Sequence, residues 1–486
     1  MLLPQTASSA DFSAIWDGSN GNWGDTVHWS TNPTFPNNTG AVTYDATINS
    51  GAVTLDRNIT IQRFFLNHGT LSGDFALNLN EGLNWAGGAI KLSTINLAAG
   101  SISTISAGNL TGTINNSGTV NQTGFFYLSD GNSSQPSGTI NNLAGATWNL
   151  PAGDVINGIN IPFPHFNPPW VGSFNNAGNL VVTQNGTPSA PSFSEFLTAV
   201  NNTGNITIQP FAEGNAGTFY IDHGTADGSF NVGAQTILQL GSYTFNTGAT
   251  IAGGGFTDVY GLITIAGDTD LSIRFRWFGG SLVIQKGATL TLSGPILQSL
   301  VTTRFAGGII TSAQLLNFQR GSLTGFGTIN GDVASSATIS PGASAGKLTI
   351  NGALSLMNSS KIVMEIGGLT QGTQYDYLAI GGMVTLDGTL ELHMLNGFQS
   401  QLDPSQTFTL LTSKDVLSGV FDNVANGARL TTADGLASFQ VNYGAGSPYG
   451  ANNLVLSDPH AVPEPASLVL FGGGVLALAF ARFRRR

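Results

Sequence analysis

The 486-residue chain has no cysteine. That excludes a disulfide framework, a thiolate nucleophile and any Cys-ligated metal. Charge is also scarce: 9% of residues are Asp, Glu, Lys or Arg, against about 25% in ordinary soluble proteins. The balance is acidic, with 27 carboxylate residues against 16 Lys and Arg and a formal net charge of −11. Such a chain lacks the basic stripe that phosphate neutralisation needs, so nucleic acid is excluded as a partner. The histidines are His28, His68, His165, His223, His393 and His460. None is spaced as His-x-x-x-His or His-Glu-x-x-His, so no metal site is expected. No Walker-type loop occurs, and no cofactor is expected. Helical periodicity is missing outside the C-terminal tail.

Glycine is abundant, at 65 of 486 residues, while hydrophobic content is ordinary at 41%. The polar surface must come from Asn, Ser, Thr and Gln, a mix that suits stacked strands and tight turns. Period-two alternation supports this. Leu282 and Ile284, Leu290 and Leu292, Ile362, Met364 and Ile366, and Leu390, Leu392 and Met394 each mark one face of a strand. A degenerate repeat runs through the first half. Asn-Asn pairs at Asn115, Asn141, Asn175 and Asn201 are each followed closely by glycine, and they start 26, 34 and 26 residues apart. Periods of this length signal stacked arrays. With short strands and no helices, the expected fold is all-β: a right-handed parallel β-helix, or β-solenoid, with stacked asparagines satisfying one another along the axis.

The 34-residue interval holds residues 161–170, which include four prolines and cannot join a ladder. This stretch is expected as a loop on one face. Phe163, Phe166 and Trp170 in it are possible ligand contacts, or pack back onto the strands. Trp16, Trp23 and Trp29 suggest either sugar stacking or, more simply, a cap on the open end of the array. A second pattern runs from Gly325 to Asp458, through residues 339–350, Tyr375 to Leu378, Leu386 to Leu390 and Phe408 to Leu411. This segment resembles the C-terminal part of autotransporter-type passenger domains, and Trp16-Asp17-Gly18 resembles the start of such β-helices. The resemblance implies a folding-competent end to the β-helix and no catalysis.

The tail reads as an address. Pro463-Glu464-Pro465 precedes Ala466–Ala481, 16 residues without charge. As a helix this run spans about 24 Å, a little short of a ~30 Å hydrocarbon core, and residues 472–474 are all glycine. Arg482, Arg484, Arg485 and Arg486 follow and would stay cytoplasmic as a membrane stop. The tail resembles that of PEP-CTERM exported bacterial proteins, whose motif Pro463, Glu464 and Pro465 match. The resemblance implies processing by an exosortase-type enzyme, inner-membrane insertion of a C-terminal apolar helix, and delivery to the cell surface or extracellular matrix. An exported protein needs an N-terminal signal, but residues 1–10 contain no Lys or Arg. They are expected as a truncated export-signal remnant or linker. The expected organisation is then 1–10, a repeat β-helix over 11–324, an autotransporter-like segment over 325–458, and the sorting signal over 459–486.

Catalytic groups are thinly spread. Asp222-His223 is a lone pair, His393 sits on an alternating strand, and Asp268 and Asp270 share a face but suit turns better than a cation site. Arg274 and Arg276 share a face with no acid cluster nearby in sequence. The expected function is an exported structural or adhesive protein, not an enzyme, with exopolysaccharide as a possible partner. The alternative is a polysaccharide-degrading lyase or hydrolase on the same scaffold. It would require several charged residues to converge in one groove across neighbouring strands.

Overall fold

The computed structural model describes residues 9–129, 138–151, 155–157, 172–183, 193–210, 217–294, 302–342 and 344–462. The protein is all-β and its strands pair mostly in parallel. Among the described residues the only helical turns are the 3-10 turns Thr26–His28 and Phe398–Gln401. The chain divides into two units, Met1–Gln298 and Ser299–Arg486.

In the first unit most strands pair in parallel with strands two or three further along the chain, and a few pair with the next one. The Asn-Asn repeat shows why. Thr113–Asn116 pairs with Thr139–Asn142, which pairs with Ser173–Asn176, which pairs with residues 199–202. The register aligns Asn115 with Asn141, Asn175 and Asn201, and Asn116 with Asn142, Asn176 and Asn202. Alternation sends the first column outward and the second inward.

Both columns are hydrogen-bonded ladders. In the outer one, Asn201 donates to Asn175 (2.9 Å), Asn175 to Asn141 (2.9 Å), Asn141 to Asn115 (2.8 Å) and Asn115 to Asn96 (2.9 Å). In the inner one, Asn116 donates to Asn142 (2.9 Å), Asn142 to Asn176 (2.7 Å) and Asn176 to Asn202 (2.8 Å). The two ladders donate in opposite directions along the stack. The inner asparagines are buried, and each also donates to a backbone carbonyl on the neighbouring level, such as Asn176 to Asn205 (3.0 Å). A buried amide costs little only when its groups are partnered in this way.

Between the ladders the core is aliphatic and aromatic. Ile95, Ile114, Ile140, Phe174 and Val200 form one buried column. Trp148, Phe174, Phe196 and Phe219 meet edge to face at centroid distances of 5.5, 5.1 and 5.6 Å, a favoured aromatic geometry. At the N-terminal end Trp16, Trp23 and Trp29 are all buried. Their ring N–H groups donate to the carbonyls of Ser19, Pro36 and Trp23. These rings belong to the packing and offer no free face to a sugar.

The second unit also stacks in parallel. Thr338–Pro341, Lys361–Ile366 and Thr389–Met394 form one such series. Leu316–Phe318, Val333–Ser335, Leu354–Leu356, Val384–Leu386 and Ser418–Gly419 form another. The pattern then changes. Asn453–Ala461 pairs antiparallel with Phe408–Thr412 and with Ala437–Asn442, which pairs antiparallel with Arg429–Thr431. Reversing the strand direction covers an edge that would otherwise invite further pairing.

Candidate functional site

The sorting motif Pro463, Glu464 and Pro465, the expected apolar tail helix, Arg482, Arg484, Arg485 and Arg486, and Phe163, Phe166 and Trp170 of the expected loop lie outside the described residues. Among the described residues, polar groups concentrate on one outward face of the first unit. It is built by five successive levels: β1 (Phe193–Asn202), β2 (Gly217–Ala226), β3 (Thr236–Phe245), β4 (Thr250–Val259) and β5 (Thr269–Trp277).

Register makes this face a grid. Its central column is Glu195, Tyr220, Gln239, Asp258 and Arg276. On one side lie Thr218, Ile237, Phe256 and Arg274. On the other lie Asp222, Gly241, Tyr260 and Phe278, each following the aligned residues Ile221, Leu240, Val259 and Trp277. Those four aligned residues point inward and are buried. Period-two alternation therefore fixes the outward set.

Two clusters form on the grid. In the first, Arg276 clamps Asp258 through two bonds, Nε to Oδ1 at 2.6 Å and Nη2 to Oδ2 at 2.8 Å. The Arg276 guanidinium lies 4.5 Å from the Phe256 ring centre and 5.6 Å from that of Phe278, and Arg274 lies 5.0 Å from Phe256. Burial pushes the Asp258 carboxyl up, and the Arg276 bonds only partly offset it. Tyr260 and Phe278 stack at 5.2 Å with planes 8° apart, and both rings are nearly half exposed.

In the second cluster the Tyr220 hydroxyl donates to Asp222 Oδ1, and His223 Nδ1 lies 3.3 Å from Asp222 Oδ2. Burial, then the bond to Asp222, push the Tyr220 hydroxyl far above its ordinary range. Burial would raise Asp222 as well, but hydrogen bonds from His223 and Tyr220 outweigh it and leave the carboxyl below its usual value. Glu195, one level away, is pushed up by burial alone.

Other polar groups tie neighbouring segments together. Asp17, Ser19 and His28 look like a triad: Ser19 Oγ is 2.8 Å and Asp17 Oδ2 2.9 Å from His28. Both contacts use Nδ1, so the ring cannot pass a proton from one partner to the other, which requires both nitrogens. Asp268 accepts the Thr289 N–H and Asp270 the Ser293 hydroxyl, so each serves the neighbouring level. His393 and Lys361 both bind Glu391, at 2.8 and 2.7 Å. Among the described residues no group of three or more His, Asp or Glu is placed to hold a metal ion.

Sequence reasoning found Arg274, Arg276 and Asp222-His223 but missed their partners. Asp258 reaches Arg276 only through register, whereas Tyr220 precedes Asp222 by two residues on the same strand, a same-face spacing that alternation shows.

Residues 461–486 match the family model of the PEP-CTERM protein-sorting motif. The match marks the chain as carrying a C-terminal sorting signal and implies export through an exosortase system. No curated protein matches the chain.

Proposed function

We propose that this chain is a non-catalytic structural or adhesive protein of the cell surface or extracellular matrix, displayed on a right-handed β-solenoid body. The sorting motif at residues 461–486 carries the reading. It is joined to a body of in-register parallel strands, and the parallel returns favour a right-handed path on steric grounds. The apolar tail holds the precursor in the inner membrane with its arginines on the cytoplasmic side. An exosortase-type enzyme then processes it near Pro463-Glu464-Pro465. Matrix exopolysaccharide is the partner at the destination. Cell fractionation tests the sorting step. Replacing residues 463–465 with alanine should leave a full-length species in the inner membrane, whereas unchanged size and distribution would remove the sorting step. A binding assay on cells with and without their exopolysaccharide tests the partner.

One observation favours a second reading, a glycan-cleaving enzyme. Glu195 and Asp222 stand one level and two residues apart, roughly 8 Å between Cα atoms by strand geometry. Their environments push ionisation in opposite directions, Glu195 up and Asp222 down. An inverting glycosidase pairs a protonated acid with a charged base across the scissile bond. Release of new reducing ends from a polysaccharide, abolished by Glu195→Gln, would establish this activity; its absence leaves the non-catalytic reading in place.

A further inference from the structure

The peptide bond between Asp458 and Pro459 lies in the strand Asn453–Ala461, where its pairing with Ala437–Asn442 slips register. Ser457 pairs with Gln440 and His460 with Ser438, so Asp458 and Pro459 together stand opposite Phe439. Proline has no N–H to give the ladder, and the bulge falls there. The Asp458 φ is +46°, in the left-handed region, although a residue before proline is normally extended. Strain of this kind gathers where a segment does chemistry.

Arg429, on the strand Arg429–Thr431, holds both reactive parts of Asp458. Its Nη1 donates to the Asp458 backbone carbonyl at 3.0 Å, and its Nη2 donates to Oδ2 of the side-chain carboxylate. Nη1 also donates to the Ser438 carbonyl and hydroxyl, at 3.2 and 3.1 Å, which fixes the guanidinium. One rigid fork thus keeps the carboxylate beside the carbonyl of its own residue and draws electron density from that carbonyl. The other carboxylate oxygen, Oδ1, lies 3.1 Å from His460 Nε2. Asp458 and His460 are both close to half exposed, so water and protons reach them. Ala437–Asn442, paired alongside, contains no charged residue. Arg429 and His460 are therefore the groups that set the charge around Asp458.

We propose that the chain cleaves itself between Asp458 and Pro459. The Asp458 carboxylate attacks the carbonyl carbon of its own residue, and the new carbon–oxygen bond closes a cyclic anhydride. Arg429 stabilises the negative charge that gathers on the carbonyl oxygen. The bond to the Pro459 nitrogen breaks, and the nitrogen leaves with a proton delivered by protonated His460. Water then opens the anhydride to two carboxyl groups, and one of the protons released restores His460. The sum is hydrolysis of one peptide bond, once in each chain, and the body remains non-catalytic toward other molecules. The step needs an ionised carboxylate and a protonated imidazole together, so mild acid favours it over weak base. Cleavage parts the body, residues 1–458, from residues 459–486, which contain the whole matched sorting signal at 461–486. Mild acid thus releases the body without an exosortase, a route that goes beyond the sorting reading and does not depend on it.

The chain carries its own control. Its other Asp-Pro bond is Asp403–Pro404. There the carboxylate accepts the Ser405 N–H and hydroxyl, and among the described residues no arginine or histidine is bonded to it. Purified full chain in non-ionic detergent is held at pH 5 and pH 8, and mass spectrometry follows the fragments 1–458 and 459–486. At pH 5 the Asp458 bond should break about a hundredfold faster than the Asp403 bond, and it should slow at pH 8. Arg429→Gln should slow it about a hundredfold, the cost of one lost oxyanion donor, and Asp458→Asn by at least as much. His460→Gln should slow it about a hundredfold at pH 5 and little at pH 8, flattening the pH profile. Thermal midpoints show which variants fold. Wild type unfolded in urea reads the same point without any variant: both Asp-Pro bonds should then break equally slowly. Equal rates at the two bonds in the folded wild type overturn the proposal, as does the absence of fragment 459–486 at both pH values. A folded Arg429→Gln that cleaves at the wild-type rate also overturns it. None of these results touches exosortase sorting, which is read in cells from residues 463–465.

Discussion

The asparagine ladders and the grid are made by the same device, in-register parallel pairing, and they use it differently. In the ladders each level repeats the residue before it, so Asn116, Asn142, Asn176 and Asn202 satisfy one another. On the grid the levels differ: Glu195, Tyr220, Gln239, Asp258 and Arg276 share a column without sharing chemistry. A repeated residue is explained by the stack alone. A column that breaks repetition is free to specialise, and the molecule has placed its aromatic, acidic and cationic groups there.

The largest effect expected from breaking this comparison is at the grid's ion pair. Arg276→Ala leaves Asp258, 2% exposed, without its partner, a loss of about 3–5 kcal/mol at neutral pH. The sign of its pH dependence follows from the lost cation. The folded Asp258 pKa rises further above its unfolded value near 3.9, so the variant is least impaired below about pH 4 and loses stability as pH rises through the folded pKa. Urea melts at pH 4 and pH 8 should show the larger deficit at pH 8.

Next comes the inner ladder. Asn176→Ala removes the acceptor for Asn142 and the donor to Asn202 and to the Asn205 carbonyl. A loss of about 2–3 kcal/mol is expected from the unpartnered buried amides, read as a lower denaturant midpoint with an unchanged slope.

A lone buried carboxylate sharpens the contrast, because it has no repeated neighbour. In the second unit Asp376 is buried and accepts the Gly346 N–H at 2.7 Å and the Glu365 N–H at 2.9 Å. Burial outweighs these bonds and pushes its carboxyl up to about 7. Its contribution to stability is complete below about pH 4, where the unfolded group is also protonated, and is lost as pH rises through 7. The unfolding midpoint of the wild type should fall over this window, and Asp376→Asn should flatten the fall. The smallest effect is in the outer ladder. Asn175→Ala, half-exposed, should cost only about 0.5–1 kcal/mol, and a loss equal to that of Asn176→Ala would erase the distinction between the two faces of the strand.

What was legible follows the same line. The Asn-Asn starts announce the register because each level repeats the last, and alternation at Leu390, Leu392 and Met394 marks a real inward face. The sorting tail is legible because it is contiguous. The grid is not, because its members lie 18 to 25 residues apart and repeat nothing. Arg276 gave no sign of Asp258 until the strands were paired level by level, whereas Tyr220 stands two residues before Asp222 on one strand, within reach of alternation alone.

The opposed sense of the two asparagine ladders has a consequence for assembly. Wherever the pile is interrupted, its newest layer exposes a spare amide hydrogen in one row and a waiting oxygen in the other. The incoming layer needs only the same two side chains to dock, and neither row builds up polarity that its companion does not cancel. Growth can thus proceed layer by layer in either direction with the same attachment chemistry at each tip.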